Sequence, residues 1–245
     1  MPNLDFTDII ITALAVVIAL SVHEFSHGYA AYKLGDNTAK NMGRLSLNPL
    51  RHLDPFGALC MLFFHFGWAR PVPIDPRNFK NPKRGFAISS VAGPASNIIC
   101  AFLSAFFYLL CIKLFVPSEI TLLYNIQLNT VKFLAIFHSV NLGLGIFNLI
   151  PVPPFDGSRI LNVILPPKLY FKIMKHEQKI YWFVIAWLFF GGYVYNALMK
   201  IPFISSNSVL SAIASVFALS NHISNAIAFL SEAMISFWQL IPFLK

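Results

Sequence analysis

Long apolar runs are the sequence feature that most limits how this chain can fold. The first extends from Ile9 to Ala31, and further runs cover residues 86–116, 130–150 and 181–199. A transmembrane helix needs about 20 consecutive, mainly apolar residues. Only 11% of the residues are charged, whereas charged residues make up about 25% of an average soluble domain. The sequence therefore predicts an all-α, multi-pass membrane protein with a bundle of about four to six spans.

We predict two parts along the chain. Residues 1–200 form a transmembrane core, with a first span at 6–33, a loop region at 38–84 and the three later runs as further spans. Residues 201–245 are apolar but rich in serine and asparagine. They fit a C-terminal span, an interfacial helix or both, and the sequence leaves these alternatives open.

The positive charges indicate a membrane orientation. The net charge is +8, which by itself would also suit a nucleic-acid-binding protein. Here, however, the basic residues cluster in loops, and those after the first span are Lys33, Lys40, Arg44 and Arg51. Loops on the cytosolic side of membranes are enriched in lysine and arginine. We therefore expect the lipid bilayer, and no nucleic acid, as a partner, with the loop after the first span in the cytosol.

The first span contains His23-Glu24-x-x-His27. At 3.6 residues per turn, the two histidines lie on one helix face, where they can bind one zinc ion, and Glu24 can act as general base. The motif alone is a weak signal, because it occurs by chance in soluble helices. Ionisable side chains inside a span are costly, at about 2.5–3.5 kcal/mol for each charge, so their presence indicates a function. The motif lies about 10–15 Å along the helix from Lys33, near the cytosolic surface.

Two histidines need a third protein ligand, which in zinc hydrolases is usually a carboxylate. Asp156 follows the 130–150 run directly and is preceded by a proline-rich segment that fixes the backbone. The other acidic candidates lie in loops or on the external side: Asp36, Asp54, Asp75, Glu119 and Glu177. We therefore expect Asp156 to be the third ligand, although an aspartate before glycine is ordinarily a turn residue.

The loop region at 43–84 is rich in proline and glycine. Residues 44–47 and 71–74 alternate with period two and predict short strands, which together give a small β-hairpin. The apolar piece from Gly57 to Phe66 is too short to span a bilayer and predicts a re-entrant segment. Two histidines of this region are interpreted as ordinary loop or core residues, His52 and His65.

The run at 86–116 carries the motif Ala92-Gly93-Pro94-x-x-Asn97. Pro94 predicts a break or kink near the start of this helix. Asn97 lies one turn further along, where it either makes a helix–helix hydrogen bond or points into the metal site.

These motifs together resemble those of the site-2 protease family of intramembrane zinc metalloproteases. The residues that carry the resemblance are His23-Glu24-x-x-His27, Ala92-Gly93-Pro94-x-x-Asn97 and Asn148-x-x-Pro151-x-x-Pro154-x-Asp156-Gly157. The resemblance covers about residues 15–165, and Gly43–Pro49 looks like the short prokaryotic-type members, without peptide-binding or nucleotide-sensing domains. One departure is Ser158, where the family often has a second glycine.

The resemblance implies a metalloendopeptidase of the cell membrane that cleaves peptide bonds in or near transmembrane segments of protein substrates. It implies one zinc ion per chain, held by His23, His27 and Asp156 toward the cytosolic side. Glu24 would be the catalytic base and acid, and Asn97 would bind the substrate or stabilise the oxyanion. Particular substrates and the oligomeric state have no signal in the sequence.

Two other functions compete with a protease. A membrane metal-binding or transport protein also uses histidines and carboxylates within spans. It predicts such residues on several spans, whereas here they concentrate in one span and one loop. An inactive protease-like scaffold would be expected to have lost Glu24 or a ligand, and all are present.

Overall fold

The computed structural model describes residues 6–54, 57, 70–115 and 120–244, and no β-strand occurs among them. Four short 3-10 helices accompany the α-helices of the described residues. The α-helices are α1 (Phe6–Lys33), α2 (Thr38–Asn41), α3 (Pro82–Lys113), α4 (Thr121–Asn148), α5 (Gly157–Ile164), α6 (Pro167–Met174), α7 (Glu177–Met199), α8 (Pro202–Ser205), α9 (Ser208–Ser215) and α10 (Leu219–Trp238).

Five helical segments of the described chain are long and apolar enough to cross a membrane. They are α1, α3, α4, α7 and the segment Ser208–Trp238, in which a 3-10 turn joins α9 to α10. The predicted fold class, a multi-pass bundle of transmembrane helices, is confirmed. At its N-terminal end α4 begins at Thr121 rather than at 130, because the helix continues into a more polar stretch that hydropathy alone does not mark.

The centre of the bundle is formed by α1, α3 and α4, which pack against one another. Many of the buried residues of these three helices are small: Ala15, Ala19, Ala31, Gly93, Ala101, Ala105 and Gly145. Small residues let helix backbones approach closely in a bilayer, where packing and hydrogen bonds drive association. Large apolar side chains such as Leu14, Ile99 and Phe107 point outward instead.

Two polar contacts connect helices of the bundle. Asp8 on α1 and Lys132 on α4 form an ion pair at 2.8 Å. Nε1 of Trp238, at the end of α10, donates to the carbonyl oxygen of Phe102 on α3, also at 2.8 Å. The last apolar segment is therefore attached to the central helices.

Pro94 does not break α3, which continues from Pro82 to Lys113. Of the break or kink expected near the start of this helix, the break is therefore wrong. Pro94 is buried, and its carbonyl oxygen lies against Gly145 of α4. Membrane helices tolerate proline when neighbouring helices cover the freed backbone groups.

The predicted β-hairpin is also wrong for the described part of the loop region. Residues 44–47 and 71–74 form no ladder between them. Instead, the Arg44 guanidinium donates to the carbonyl oxygens of Arg70 and Pro71 at 2.7 and 3.3 Å. The predicted re-entrant piece at 57–66 lies outside the described residues except for Gly57.

Side-chain carboxylates use the backbone donors that a β-ladder would need. The N–H of Val72 donates to Glu24 Oε2 at 2.7 Å, and the N–H of Asp75 donates to Asp36 Oδ2 at 2.8 Å. The prolines in this segment have no N–H to give. The segment is therefore bound to a carboxylate of α1 and to one just after α1, and not to a neighbouring strand.

Candidate metal centre

Three side chains predicted as ligands converge at one point of the bundle. Nε2 of His23 and Nε2 of His27 lie 2.9 Å apart, and each lies 3.1 Å from Oδ2 of Asp156. Among the described residues, these three form the one cluster of histidine, cysteine or acidic side chains whose ligand atoms all lie within 4.8 Å of one another. Both histidines are buried, and Asp156 is partly exposed.

The backbone explains how Asp156 reaches α1. α4 ends at Asn148, and a turn with a cis Pro153–Pro154 peptide bond leads back to Asp156. The chain then starts α5 at Gly157, where a Cβ atom would lie only 2.3 Å from the carbonyl oxygen of Leu149. Glycine is therefore required immediately after the carboxylate that faces the histidines.

The hydrogen-bond partners of the two Nδ1 atoms, which point away from the centre, define the tautomer of each histidine. Nδ1 of His23 lies 2.5 Å from Oδ1 of Asn97, and Nδ1 of His27 lies 2.7 Å from the carbonyl oxygen of Ser89. Oxygens of these kinds accept hydrogen bonds, so each Nδ1 carries the proton. In the neutral rings both Nε2 atoms then present lone pairs, and together with the carboxylate they form three acceptors that face one another.

Three converging acceptors without a donor between them are the arrangement that a cation stabilises. Zinc binds histidine nitrogen and carboxylate oxygen at about 2.0–2.1 Å in tetrahedral sites, so two of its ligands are separated by about 3.3 Å. The separations of 2.9 and 3.1 Å found here are close to this value. The donor set and its spacing fit zinc, with a fourth position left open for water or substrate.

Gly93 on α3 forms a wall of this centre. A Cβ atom at position 93 would lie 2.4 Å from Nε2 of His27 and 2.8 Å from Cε1 of His23. Any other residue would collide with the two imidazoles. The glycine of the second sequence motif therefore allows α3 to approach the metal-binding face of α1.

Glu24 lies half-buried beside the two histidines on α1. Its Oε2 accepts the N–H of Val72 at 2.7 Å, so the extended segment after residue 70 lies against the catalytic candidate. Its Oε1 accepts no hydrogen bond from any described residue, which leaves one oxygen available for a proton.

Asn97 is fully buried behind His23 rather than open to a substrate. Its Oδ1 faces His23, and its Nδ2 donates to Asn141 Oδ1 at 2.7 Å and to the carbonyl oxygen of Ala19 at 3.2 Å. Every hydrogen-bonding atom of the side chain is used inside the protein. These contacts favour the helix–helix hydrogen bond and the positioning of His23 over the substrate or oxyanion role implied by the resemblance.

The other candidates lie elsewhere. His52 is buried in the loop, where its Nε2 lies 2.6 Å from the carbonyl oxygen of Ser46, and His65 is outside the described residues. Asp36 and Asp75 bind loop donors and are not part of the metal cluster. Sequence reasoning predicted no contact of Ser89, Val72 or Asn141 with the site, because nothing in the sequence shows which distant residues touch the motif.

Comparison with known proteins shows one family. The sequence model of peptidase family M50 matches residues 11–170. The chain is 38% identical over 208 residues to "Putative zinc metalloprotease YwhC" of Bacillus subtilis (strain 168), a match that covers 83% of this chain and 91% of that protein.

Two more distant relatives are longer than this chain. The chain is 30% identical over 168 residues to "Zinc metalloprotease MJ0392" of Methanocaldococcus jannaschii, covering 69% of this chain and 38% of that protein. It is 30% identical over 158 residues to "Putative zinc metalloprotease Rip2" of Mycobacterium tuberculosis (strain H37Rv), covering 62% of this chain and 56% of that protein. No solved structure matches the chain.

Proposed function

The chain belongs to peptidase family M50, and from this membership we propose that it is a zinc metallopeptidase that cleaves membrane-protein substrates within the bilayer. The observation that carries the proposal is the convergence of His23, His27 and Asp156, whose metal-binding atoms lie 2.9–3.1 Å apart. This cluster includes two residues of the long apolar helix α1, so a substrate must meet it at membrane depth. A transmembrane segment of another protein fits that position.

One zinc ion per chain is held by the two Nε2 atoms and the Asp156 carboxylate. When bound, zinc supplies a Lewis acid that polarises the scissile carbonyl and lowers the pKa of a water molecule to about 7. Ser89 and Asn97 keep the two Nδ1 atoms protonated, which keeps both Nε2 atoms available as ligands.

Glu24 is the general base and acid. Its Oε1 accepts a proton from the attacking water as the new carbon–oxygen bond forms at the scissile carbonyl. The same carboxyl group then donates that proton to the leaving amine as the carbon–nitrogen bond breaks. The N–H of Val72 binds the other oxygen and holds the carboxylate in one orientation during both steps.

The cytosolic side of the cell membrane is the proposed location of the centre. His27 lies close to the Lys33 end of α1, which leads into a loop with several basic residues. Asp156 reaches the same end of the bundle from the end of α4. Water can then enter from the cytosol, while lipid surrounds the outer faces of the helices.

The substitution Glu24→Gln tests the proposal. The glutamine keeps the shape of the side chain but cannot take a proton, so cleavage of single transmembrane-segment peptides in detergent should fall by about 100-fold or more, with zinc content unchanged. Glu232→Gln, which alters an exposed carboxylate on α10, is the matched control and should cleave like wild type. Undiminished cleavage by the Glu24→Gln variant would exclude the assigned base.

A further inference from the structure

A chain of buried hydrogen bonds continues behind His23, on the side away from the metal-binding atoms. Asn97 connects His23 to Asn141 on α4, and Nδ2 of Asn141 donates to the carbonyl oxygen of Phe137 at 2.8 Å. Both asparagines have no exposed surface. We propose that Asn141 is a positioning residue that fixes, through Asn97, the tautomer and orientation in which His23 binds zinc.

Main-chain carbonyl groups set the direction of this chain of hydrogen bonds, because they can only accept. The carbonyl of Phe137 requires the amide nitrogen of Asn141, which turns the Asn141 oxygen toward Asn97. That oxygen and the carbonyl of Ala19 both require the amide nitrogen of Asn97. The Asn97 oxygen is thereby directed at His23, where it accepts the Nδ1 proton.

A reversed Asn97 amide would disrupt the metal centre. Its oxygen would then face two other oxygens, those of Ala19 and Asn141. Its amide nitrogen would face Nδ1 of His23 and would favour the tautomer with the proton on Nε2. A protonated Nε2 has no lone pair for zinc, so the orientation of a residue that never touches the metal controls whether a ligand is available.

The inference rests on the proposed zinc site, and bundle stability is its main competitor. Asn141 also links α3 to α4, and a helix–helix hydrogen bond could serve packing alone. The two roles differ in what they predict for zinc affinity. If Asn141 serves packing alone, its substitution lowers the thermal unfolding midpoint but does not alter the zinc dissociation constant of the folded protein.

The test compares two substitutions at position 141 in the full-length, detergent-purified protein. Asn141→Leu keeps a similar volume but removes the acceptor for Asn97. Asn141→Asp is the conservative variant: in this apolar setting the carboxyl group is neutral, so its O–H can donate to Phe137 and its other oxygen can accept from Asn97. Zinc dissociation constants are measured by competition with a chelator, alongside the thermal unfolding midpoint of each variant.

His138→Phe is the matched control for lost helix–helix hydrogen bonds. His138 lies on the same helix, is buried, and contacts the carbonyl oxygen of Ala101 and Oγ of Ser231 at 2.8 Å each. It has no hydrogen bond to His23 or Asn97. Its removal should lower the unfolding midpoint and leave the zinc dissociation constant at the wild-type value.

We expect Asn141→Leu to weaken zinc binding by about 10–100-fold, as for other residues that orient metal ligands, and Asn141→Asp to stay within a few-fold of wild type. Unchanged zinc affinity in Asn141→Leu, or an equal loss in the Asp variant, would overturn the inference. Should the leucine variant not fold, Asn141→Ala takes its place. Wild-type protein that binds no zinc would refute the proposed function itself, which separates the two failures.

Discussion

Gly93 shows how strictly a single position is limited by the metal centre. Alanine there would place its Cβ 2.4 Å from Nε2 of His27, on a helix that packs against both α1 and α4. The imidazoles are the groups that this Cβ would meet. Since both rings are held by hydrogen bonds from behind, their displacement separates the ligand atoms.

We therefore predict that Gly93→Ala weakens zinc binding by about 10–100-fold, measured by chelator competition on purified protein. Gly143→Ala is the matched control, since a Cβ at position 143 would meet Cδ1 of Ile227 only at 3.8 Å, an ordinary van der Waals distance. Alanine also favours a helix over glycine by up to about 1 kcal/mol, so this control should be at least as stable as wild type. Equal zinc affinity in both variants would contradict the description of the centre.

The residues of the candidate site differ in how well the sequence predicts them. His23, Glu24 and His27 follow from one helical motif, and Asp156 follows from proline-fixed backbone at a span end. The partners of these residues do not follow, because contacts such as those of Asn97 with His23 and Asn141 span more than forty positions of the chain. Only the packing of three helices brings them together.

At the level of the elements, Asp36 holds the loop region against the end of α1. Its buried carboxylate accepts hydrogen bonds from the N–H and the hydroxyl of Thr38, from the N–H of Asp75 and from the side chain of Asn78. This junction fixes one end of the extended segment whose Val72 binds Glu24. It also explains the failed hairpin prediction, since alternation in sequence does not reveal that side chains will take the backbone donors.

The charge state of Asp36 makes this junction sensitive to acid. Burial alone would raise its pKa, but the hydrogen bonds from Thr38, Asn78 and Asp75 prevail and hold the pKa below the ordinary value of 3.8. The hydrogen bonds from Arg77 likewise lower the pKa of Asp75 to about 2. A carboxyl group whose pKa is lowered in the folded state stabilises that state above the unfolded pKa, and this contribution is lost as the pH falls through the lowered pKa of the folded state.

We predict that Asp36→Ala lowers the free energy of unfolding by about 2–4 kcal/mol at pH 7, because several donors lose their charged acceptor. The variant should also lose less stability than wild type between pH 4 and pH 2, because one acid-sensitive contact is already absent. Thermal unfolding in detergent across this pH range provides the measurement. Parallel pH dependences in variant and wild type would show that Asp36 does not provide the acid-sensitive contact.

At the scale of the whole molecule, the helices bring the histidines of α1 and Asp156, which follows α4, to the same side of the bundle. Hydropathy predicts most of this arrangement, since each apolar run becomes a helix and successive spans alternate in direction. The exception is the C-terminal part, where serines and asparagines obscure the pattern. In the structure Ser208–Trp238 is long and apolar enough to be a fifth span, and its Ser231 hydroxyl binds His138 of α4.

If all five long apolar segments cross the membrane, the two chain ends lie on opposite sides. With the basic loop after α1 in the cytosol, we predict that a reporter fused to Lys245 is active in the cytosol, and that one inserted between α3 and α4 is active outside. Fusions of fluorescent protein and alkaline phosphatase at both positions measure this directly. An external C-terminus would show that Ser208–Trp238 lies at the membrane surface.

The central claim is that His23, His27 and Asp156 together bind one zinc ion, and zinc content measured by elemental mass spectrometry tests it most directly. Wild-type protein and the Asp75→Ala control, which removes a loop carboxylate outside the cluster, should each contain one zinc ion per chain. Asp156→Ala, purified in the same way, should contain little or none. Folded wild-type protein without zinc, or Asp156→Ala protein that keeps its zinc at full affinity, would contradict the account.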